Sequence, residues 1–264
     1  MELKADIGVF GGSGFYSFLD NVQEFEVETP YGKPSDNIAI ADFEGKKVAF
    51  LPRHGKRHQY PPHMVPYLAN IYAMKQLGVK KIIGPTASGS LQPGIKPGDF
   101  VVTDQFIDRT SGRKDTFFDG PETIHTTIAH PYCPELRKTV IEAGKSLGIT
   151  IHEHGTVVVI QGPRFSTVAE SRWFSKMGWE VINMTQYPEC YLAREQGMCY
   201  ANISLITDYD AGLEGRDDIP PVTHEAVLEV FRENNEKVKN MIFEIIRTIN
   251  LDDSKCKCHL GMTK

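Results

Sequence analysis

The chain has 264 residues, 41% of them apolar and 24% charged, with a formal net charge of -5. That length suits one well-buried domain and is short for two, and the acidic balance argues against a general nucleic-acid binder. No apolar run reaches membrane-spanning length and the opening MELKADIGVF lacks a signal-peptide core, so a cytoplasmic protein without nucleic-acid or membrane partners is expected.

In chain order, short β-rich runs alternate with helical patterns. Strands are predicted at 5–10, 24–29, 37–42, 46–51, 80–84, 99–104, 155–161, 179–184 and 199–207, and helices at 66–77, 134–147, 167–177, 187–196 and 223–249. The alternation reads as an α/β fold built in layers. In the last helix Val227, Leu228, Phe231, Val238, Met241, Ile242, Ile245 and Ile249 fall on one stripe, and Thr223 is a suitable N-cap. Residues 1–250 read as one domain, and the polar segment 251–264 as a loose tail.

Five apolar strands run straight into polar or glycine-rich segments: Gly11-Gly12-Ser13-Gly14, Arg53-His54-Gly55, Thr86-Ala87-Ser88-Gly89, Met184-Thr185 and Thr207-Asp208-Tyr209-Asp210. Ligands of α/β sheets bind beyond the carboxyl ends of strands, so these segments could meet in one crevice. Gly11 to Gly14 fits a tight turn as well as a backbone cradle for an anion. Arg53 offers a planar fork for phosphate or carboxylate, and His54 adds an imidazole donor. Thr86, Ser88 and Thr185 add hydroxyls. Together these groups suit inorganic phosphate, whereas the absence of G-x-x-x-x-G-K-[ST] argues against a nucleoside triphosphate. Prolines bracket LPRHGKRHQYPPH and no carboxylate lies within it, so its histidines are not expected to hold a metal. Asp208 and Asp210 are two apart after an apolar strand. Close carboxylates cannot both ionise cheaply, so one could hold a proton for a leaving group, help worth roughly 10²–10⁴-fold; a solvated acidic loop is the plainer reading.

Cys133, Cys190 and Cys199 read as small buried thiols. The polar Cys256-Lys257-Cys258 could form a strained disulfide or an exchange-active pair, and with no second pair at zinc-ligand spacing no metal site is expected.

The segments GVFGGSGFY, TPYGKPS, LPRHGKRHQYPPH, QFIDRTSGR, TFFDG, QGPRFSTVAESR, INMTQYPE and ITDYDAG, spread over residues 5–249, resemble the methylthioadenosine phosphorylase branch of the trimeric purine nucleoside phosphorylases. The resemblance implies a single-domain, three-layer fold with a central mixed twisted β-sheet flanked by helices. It implies a homotrimer or a dimer of trimers, and phosphorolysis of 5′-methylthioadenosine to adenine and 5-methylthioribose 1-phosphate. Inorganic phosphate would be co-substrate, with no cofactor and no metal. By motif, phosphate would bind Ser13, Arg53, His54, Thr86, Ala87 through its backbone, and Thr185. Met184 would underlie the ribose, Phe165 and Ile182 would contact the purine, and Asp208 and Asp210 would be the catalytic pair serving N7 and the C6 substituent. His125 would reach a neighbouring subunit's substrate. Leu228 falls where a 5′ group is expected. His224, in place of an apolar residue, points to the alternative of a broader purine nucleoside phosphorylase that reads a 5′-hydroxyl. Gln186, Tyr187 and Ser88 also depart from the expected pattern.

Overall fold

Alternation along the strands sets the layers. The computed structural model describes residues 3–11, 22–213, 219, 221–252, 256–258 and, as backbone, 262–263. Ser13, Gly12 and Gly14 lie outside the described residues. The elements run β1 (Ile7–Gly11), β2 (Gln23–Phe25), β3 (Ile38–Phe43), β4 (Lys46–Pro52), α1 (Tyr67–Gln76), β5 (Lys81–Ser90), β6 (Phe100–Val101), β7 (Gln105–Arg109), β8 (His125–Thr126), α2 (Pro134–Ser146), β9 (Ile151–His152), β10 (Thr156–Ile160), α3 (Val168–Lys176), β11 (Val181–Asn183), α4 (Gln186–Glu195), β12 (Cys199–Asp208), α5 (His224–Thr248) and β13 (Met262–Thr263).

Among the described residues an eleven-stranded mixed sheet runs β2-β3-β4-β1-β5-β11-β10-β7, with β12 along the other edge of β5 and β6 and β9 beyond it. Ile7, Val9, Val48, Phe50 and Ile83 face a core closed by Val140 of α2 and Met241 and Ile245 of α5. Their neighbours Phe10, Ala49, Leu51 and Ile82 face a core closed by Ile71 and Met74 of α1 and Leu192 of α4. A strand that feeds apolar side chains to both faces must be covered on both. The expected three-layer α/β fold is therefore present, with each fully buried Ile or Met contributing roughly 1.5–3 kcal/mol.

The structure corrects four expectations. First, β5 does not stop at Gly84 but runs through Ser90. Pro85 is tolerated in mid-strand because its missing N–H falls on an edge that, among the described residues, no strand pairs at that point. Second, β7 was not expected. Its half-exposed sequence QFIDR lacks an apolar run, and it lies at the end of the sheet order, where charges discourage further pairing. Third, only the later half of the α5 stripe, from Val238 on, is core; Leu228 is exposed. Thr223 does cap the helix, accepting from the Ala226 N–H at 3.2 Å. Fourth, the tail is not loose where it is described: Cys256 and Cys258 are buried, and β13 pairs antiparallel with β8. No helix among the described residues is long and apolar enough to cross a membrane.

Candidate active site

The sheet opens at β5. One edge of this strand pairs in parallel with β1 through Ile83 and antiparallel with β11 from Gly89, and between them residues 84–88 have no strand partner on that side among the described residues. The Pro85 carbonyl points into this gap, where it accepts from Arg53 Nη1 at 3.0 Å. In an extended strand the backbone groups of residues two apart share an edge, so the Ala87 N–H faces the gap too. A cavity of about 540 Å³ fills it, lined at one end by Arg53, Thr86 and Thr185 and at the other by Asp208 and Asp210. That is within the roughly 300–1,000 Å³ of small-molecule sites.

At the first end Arg53 is buried and held rigidly. Its Nε and Nη2 donate to Glu189 Oε2 and Oε1 at 2.6 and 2.8 Å. Glu189 also accepts from the Tyr200 hydroxyl at 2.5 Å, Tyr200 accepts from Gln186 Nε2 at 3.1 Å, and Gln186 accepts from the Tyr132 hydroxyl at 3.1 Å. Burial works against the Arg53 charge, and the Glu189 carboxylate more than offsets it, so the guanidinium stays charged above its ordinary range. Gly84 makes the arrangement possible: a Cβ there would sit 1.8 Å from the Tyr200 hydroxyl oxygen. Arg53 has five N–H groups; three are taken, and two remain for an anion.

Thr86 is oriented by amides. Its Oγ1 accepts from Asn202 Nδ2 at 3.0 Å and Asn183 Nδ2 at 3.4 Å. With both lone pairs occupied, its own proton is left to donate, to Ser88 Oγ at 3.2 Å, to Ser204 Oγ at 3.3 Å or to a ligand that displaces them. Asn202 cannot flip, because its Oδ1 accepts from Ser204 at 2.8 Å and Thr103 at 3.0 Å while its Nδ2 also donates to the Gly84 carbonyl at 2.8 Å. Ser88 joins this buried cluster, donating to Ser204 at 3.1 Å. Thr185 stands at the N-cap of α4 but makes no capping bond with its side chain, so its hydroxyl too is available to a ligand. His54 corrects an expectation. Its Nδ1 donates to the Tyr60 carbonyl at 2.8 Å, and burial, partly opposed by that bond, draws its pKa down to about 4. The neutral ring therefore offers Nε2 as an acceptor, not as a donor.

At the other end Asp208 closes β12 and the chain turns back at Asp210, whose φ is +51°. The pair is made by this turn and not by strand alternation: Asp210 N–H donates to Asp208 Oδ1 at 2.7 Å, and Thr207 Oγ1 donates to Oδ2 at 2.6 Å. Burial raises the Asp208 pKa against those two bonds. Burial likewise raises that of Asp210, against the Ser171 hydroxyl. Among the described residues Asp210 Oδ2 is buried without a hydrogen-bond partner, an expensive condition that a ligand donor would relieve, with the Ser166 and Ser171 hydroxyls the nearby protein groups that bear on the same carboxyl. Gly89 admits this close approach, since a Cβ there would lie 2.8 Å from Asp208 Oδ1 and 3.0 Å from Ile182 Cγ2.

Between the ends lies Met184, whose carbonyl accepts from Arg113 Nη2 at 2.9 Å. Arg113 also donates to the carbonyls of Gln161 at 2.9 Å and Tyr187 at 2.5 Å, so one side chain ties together the segments that follow the adjacent strands β10 and β11. Phe165, 38% exposed, and Ile182, buried, both line the cavity. At the mouth, the His54 and His58 rings stack at 4.7 Å and His58 meets His224 edge-on at 6.4 Å; Val227, Leu228 and Phe231 of α5 complete the rim.

The structure thus gathers Arg53, His54, Thr86, Ala87, Phe165, Ile182, Met184, Thr185, Asp208, Asp210, His224 and Leu228 around one cavity. His125 is exposed on β8, outside that lining. Sequence reasoning missed Glu189, Tyr200, Asn202 and Arg113. INMTQYPE and QFIDRTSGR do contain Glu189 and Arg113, but nothing in either segment says which partner the charge meets. Gln186 lies in the chain of bonds behind Arg53, and Tyr187 donates to Asp115 Oδ2 at 2.6 Å.

A family model described as the phosphorylase superfamily matches residues 6–247. An S-methyl-5′-thioadenosine phosphorylase of Thermofilum pendens is 52% identical over 257 residues, 97% of this chain and 96% of its own. A purine nucleoside phosphorylase of Streptomyces coelicolor is 44% identical over 266 residues, 97% and 94% of the respective chains. A solved structure of a methylthioadenosine phosphorylase, sourced from an antarctic soil metagenomic library, superposes with a TM-score of 0.92 at 39% identity, covering 99% of this chain and 92% of that one.

Proposed function

The chain belongs to the phosphorylase superfamily, and from that premise we propose that it is a pentosyltransferase that cleaves 5′-methylthioadenosine with inorganic phosphate, releasing adenine and 5-methylthioribose 1-phosphate. Phosphate binds the two remaining Arg53 N–H groups, the Thr86 and Thr185 hydroxyls and the Ala87 N–H, with Ser13 as a further donor. Neutral His54 accepts a hydrogen bond at Nε2 from the P–OH of a monohydrogen phosphate. The sugar spans the middle over Met184, and the purine lies between Phe165 and Ile182. As the glycosidic bond breaks, positive charge grows on the sugar and negative charge on the base. Rigid donors around phosphate and a carboxyl beside N7 favour that transition state over the ground state. Asp208, raised by burial, carries the proton toward N7, and Asp210 accepts from the 6-amino group.

The observation that carries this reading is the pairing, in one cavity, of an anion end built on Arg53 with a buried carboxyl, Asp210, whose Oδ2 has no partner among the described residues. A buried acceptor calls for a donor, and a 6-amino group is one where a 6-oxo group is not. The scheme calls for no organic cofactor and no catalytic metal. The chain acts in the cytoplasm as a homotrimer or dimer of trimers, with His125 lent to a neighbour's substrate. Adenine release from methylthioadenosine should require phosphate; equal release in phosphate-free buffer would make the protein a nucleosidase and overturn the proposal.

A second reading has its own support. His224 places an imidazole among Val227, Leu228 and Phe231 at the mouth, and a 5′-hydroxyl would meet it there. On this reading adenosine and inosine are substrates as well, and His224→Val shifts preference toward methylthioadenosine in a substrate panel.

A further inference from the structure

Far from the cavity, four of the five cysteines converge. Cys133 precedes α2, Cys199 opens β12, and Cys256 and Cys258 come from the tail. All four are buried and all are free thiols. Their sulfurs lie within 4.8 Å of one another, with Cys133 Sγ 3.6 Å and Cys199 Sγ 3.2 Å from Cys256 Sγ. A zinc ion bonded to four sulfurs at about 2.3 Å needs sulfur–sulfur edges of about 3.8 Å, so closing this group on an ion takes only small side-chain movements. The spacing of Cys256 and Cys258 alone argued against zinc for want of a second pair; the fold supplies that pair from residues far away in the chain.

We infer that Cys133, Cys199, Cys256 and Cys258 form a structural zinc site that fastens the C-terminal segment to β12 and to the start of α2. The donor set is all soft sulfur, which selects zinc over magnesium or calcium. Four protein ligands close a tetrahedral ion to solvent, the mark of a structural rather than a catalytic site. A second contact fits thiolate chemistry: the Cys258 N–H donates to Cys256 Sγ at 3.3 Å, as an amide does to a metal-bound sulfur carrying negative charge. Exposed Lys257, between the two tail ligands, adds positive charge at the edge of a site whose four thiolates exceed the ion's charge by two. Each thiol releases its proton to solvent as the ion binds, and no oxidant takes part. The site sits at the opposite end of β12 from Asp208, so it fixes the frame of the cavity and touches no substrate.

The full chain, purified with a reductant and dialysed against zinc alone, should carry one zinc per chain. Titrated anaerobically with cobalt(II), it should show sulfur-to-cobalt charge transfer and strong tetrahedral bands. Cys258→Ser should weaken cobalt binding at least tenfold and lower the melting temperature, while Cys190→Ser should leave the spectrum unchanged. A wild-type chain that takes up no metal overturns the inference, whether mass spectrometry finds its four thiols free or joined in two disulfides. Undiminished cobalt binding by Cys258→Ser overturns it as well. The wild-type metal count needs no variant to fold.

Discussion

Asn202 uses all four of its amide hydrogen-bonding positions, and this makes Thr86 Oγ1 an acceptor toward Nδ2 and turns its proton elsewhere. Aspartate at 202 reverses the polarity: it has no N–H to give, so the Thr86 hydroxyl turns to donate into the new carboxylate and is lost to the anion. Asn202→Asp should therefore raise the KM for phosphate by about tenfold or more, the equivalent of roughly 1.4 kcal/mol, and leave the nucleoside KM unchanged at saturating phosphate. In a Thr86→Val background the same change should add little, because the two residues act through one hydroxyl. Equal losses for both substrates, or full additivity, would show Asn202 to be merely structural. Residues of this kind were not legible in the sequence. Arg53 and Thr86 stand out because polar groups follow apolar strands, but Glu189 is 136 residues from Arg53 and Asn202 is 116 from Thr86. A buried polar residue looks ordinary until its partner is known. The role of His54 was also misread, because its tautomer depends on the Tyr60 carbonyl.

β5 shows what the sequence reveals about elements and what it hides. All five helices fall within two residues of their predicted bounds, since a 3.6-residue apolar period is a strong local signal. β5 was predicted six residues too short because Gly84-Pro85 reads as a stop. Whether proline is tolerated depends on which edge is paired, and that is a property of the sheet, not of the strand. The same strand carries Gly89, where a methyl group would press on the Asp208 carboxylate at 2.8 Å. Gly89→Ala should therefore displace the base-side carboxyl while sparing Arg53 and Thr86. Since an ångström of misplacement can cost about 100-fold, kcat/KM for the nucleoside should fall roughly 10- to 100-fold with the phosphate KM unchanged. A variant with wild-type kcat/KM would mean that Asp208 need not sit where it does.

At the scale of the molecule, the cavity's chemistry affects the stability of the whole fold. Unfolded, the His54 imidazole takes up a proton near its ordinary pKa of 6.5; folded, it does so only near 4. Protonation thus favours the unfolded chain, and the stability His54 contributes is complete above pH 6.5 and lost as pH falls toward 4. Asp208 and Asp210, whose pKa values are raised, act in the opposite sense, so the effect is isolated by comparison with His54→Gln. In urea unfolding, wild type should lose stability relative to that variant across this interval; a constant gap would contradict a buried neutral imidazole. The layered fold was legible as a whole because alternation and helical period survive in any single stretch. The buried tail was not, since Cys256 and Cys258 find their place only through Cys133 and Cys199.

α5 divides its labour along its length: Val238 to Ile246 anchor it in the core with Phe231 packed against them, while His224 to Leu228 overhang the mouth of the cavity. Its opening turns can therefore mutate without endangering the rest of the protein, whereas the anion end, bound into buried networks, cannot. A lineage carrying this scaffold is free to wander among nucleosides that differ at the sugar's far carbon while its inorganic partner stays the same.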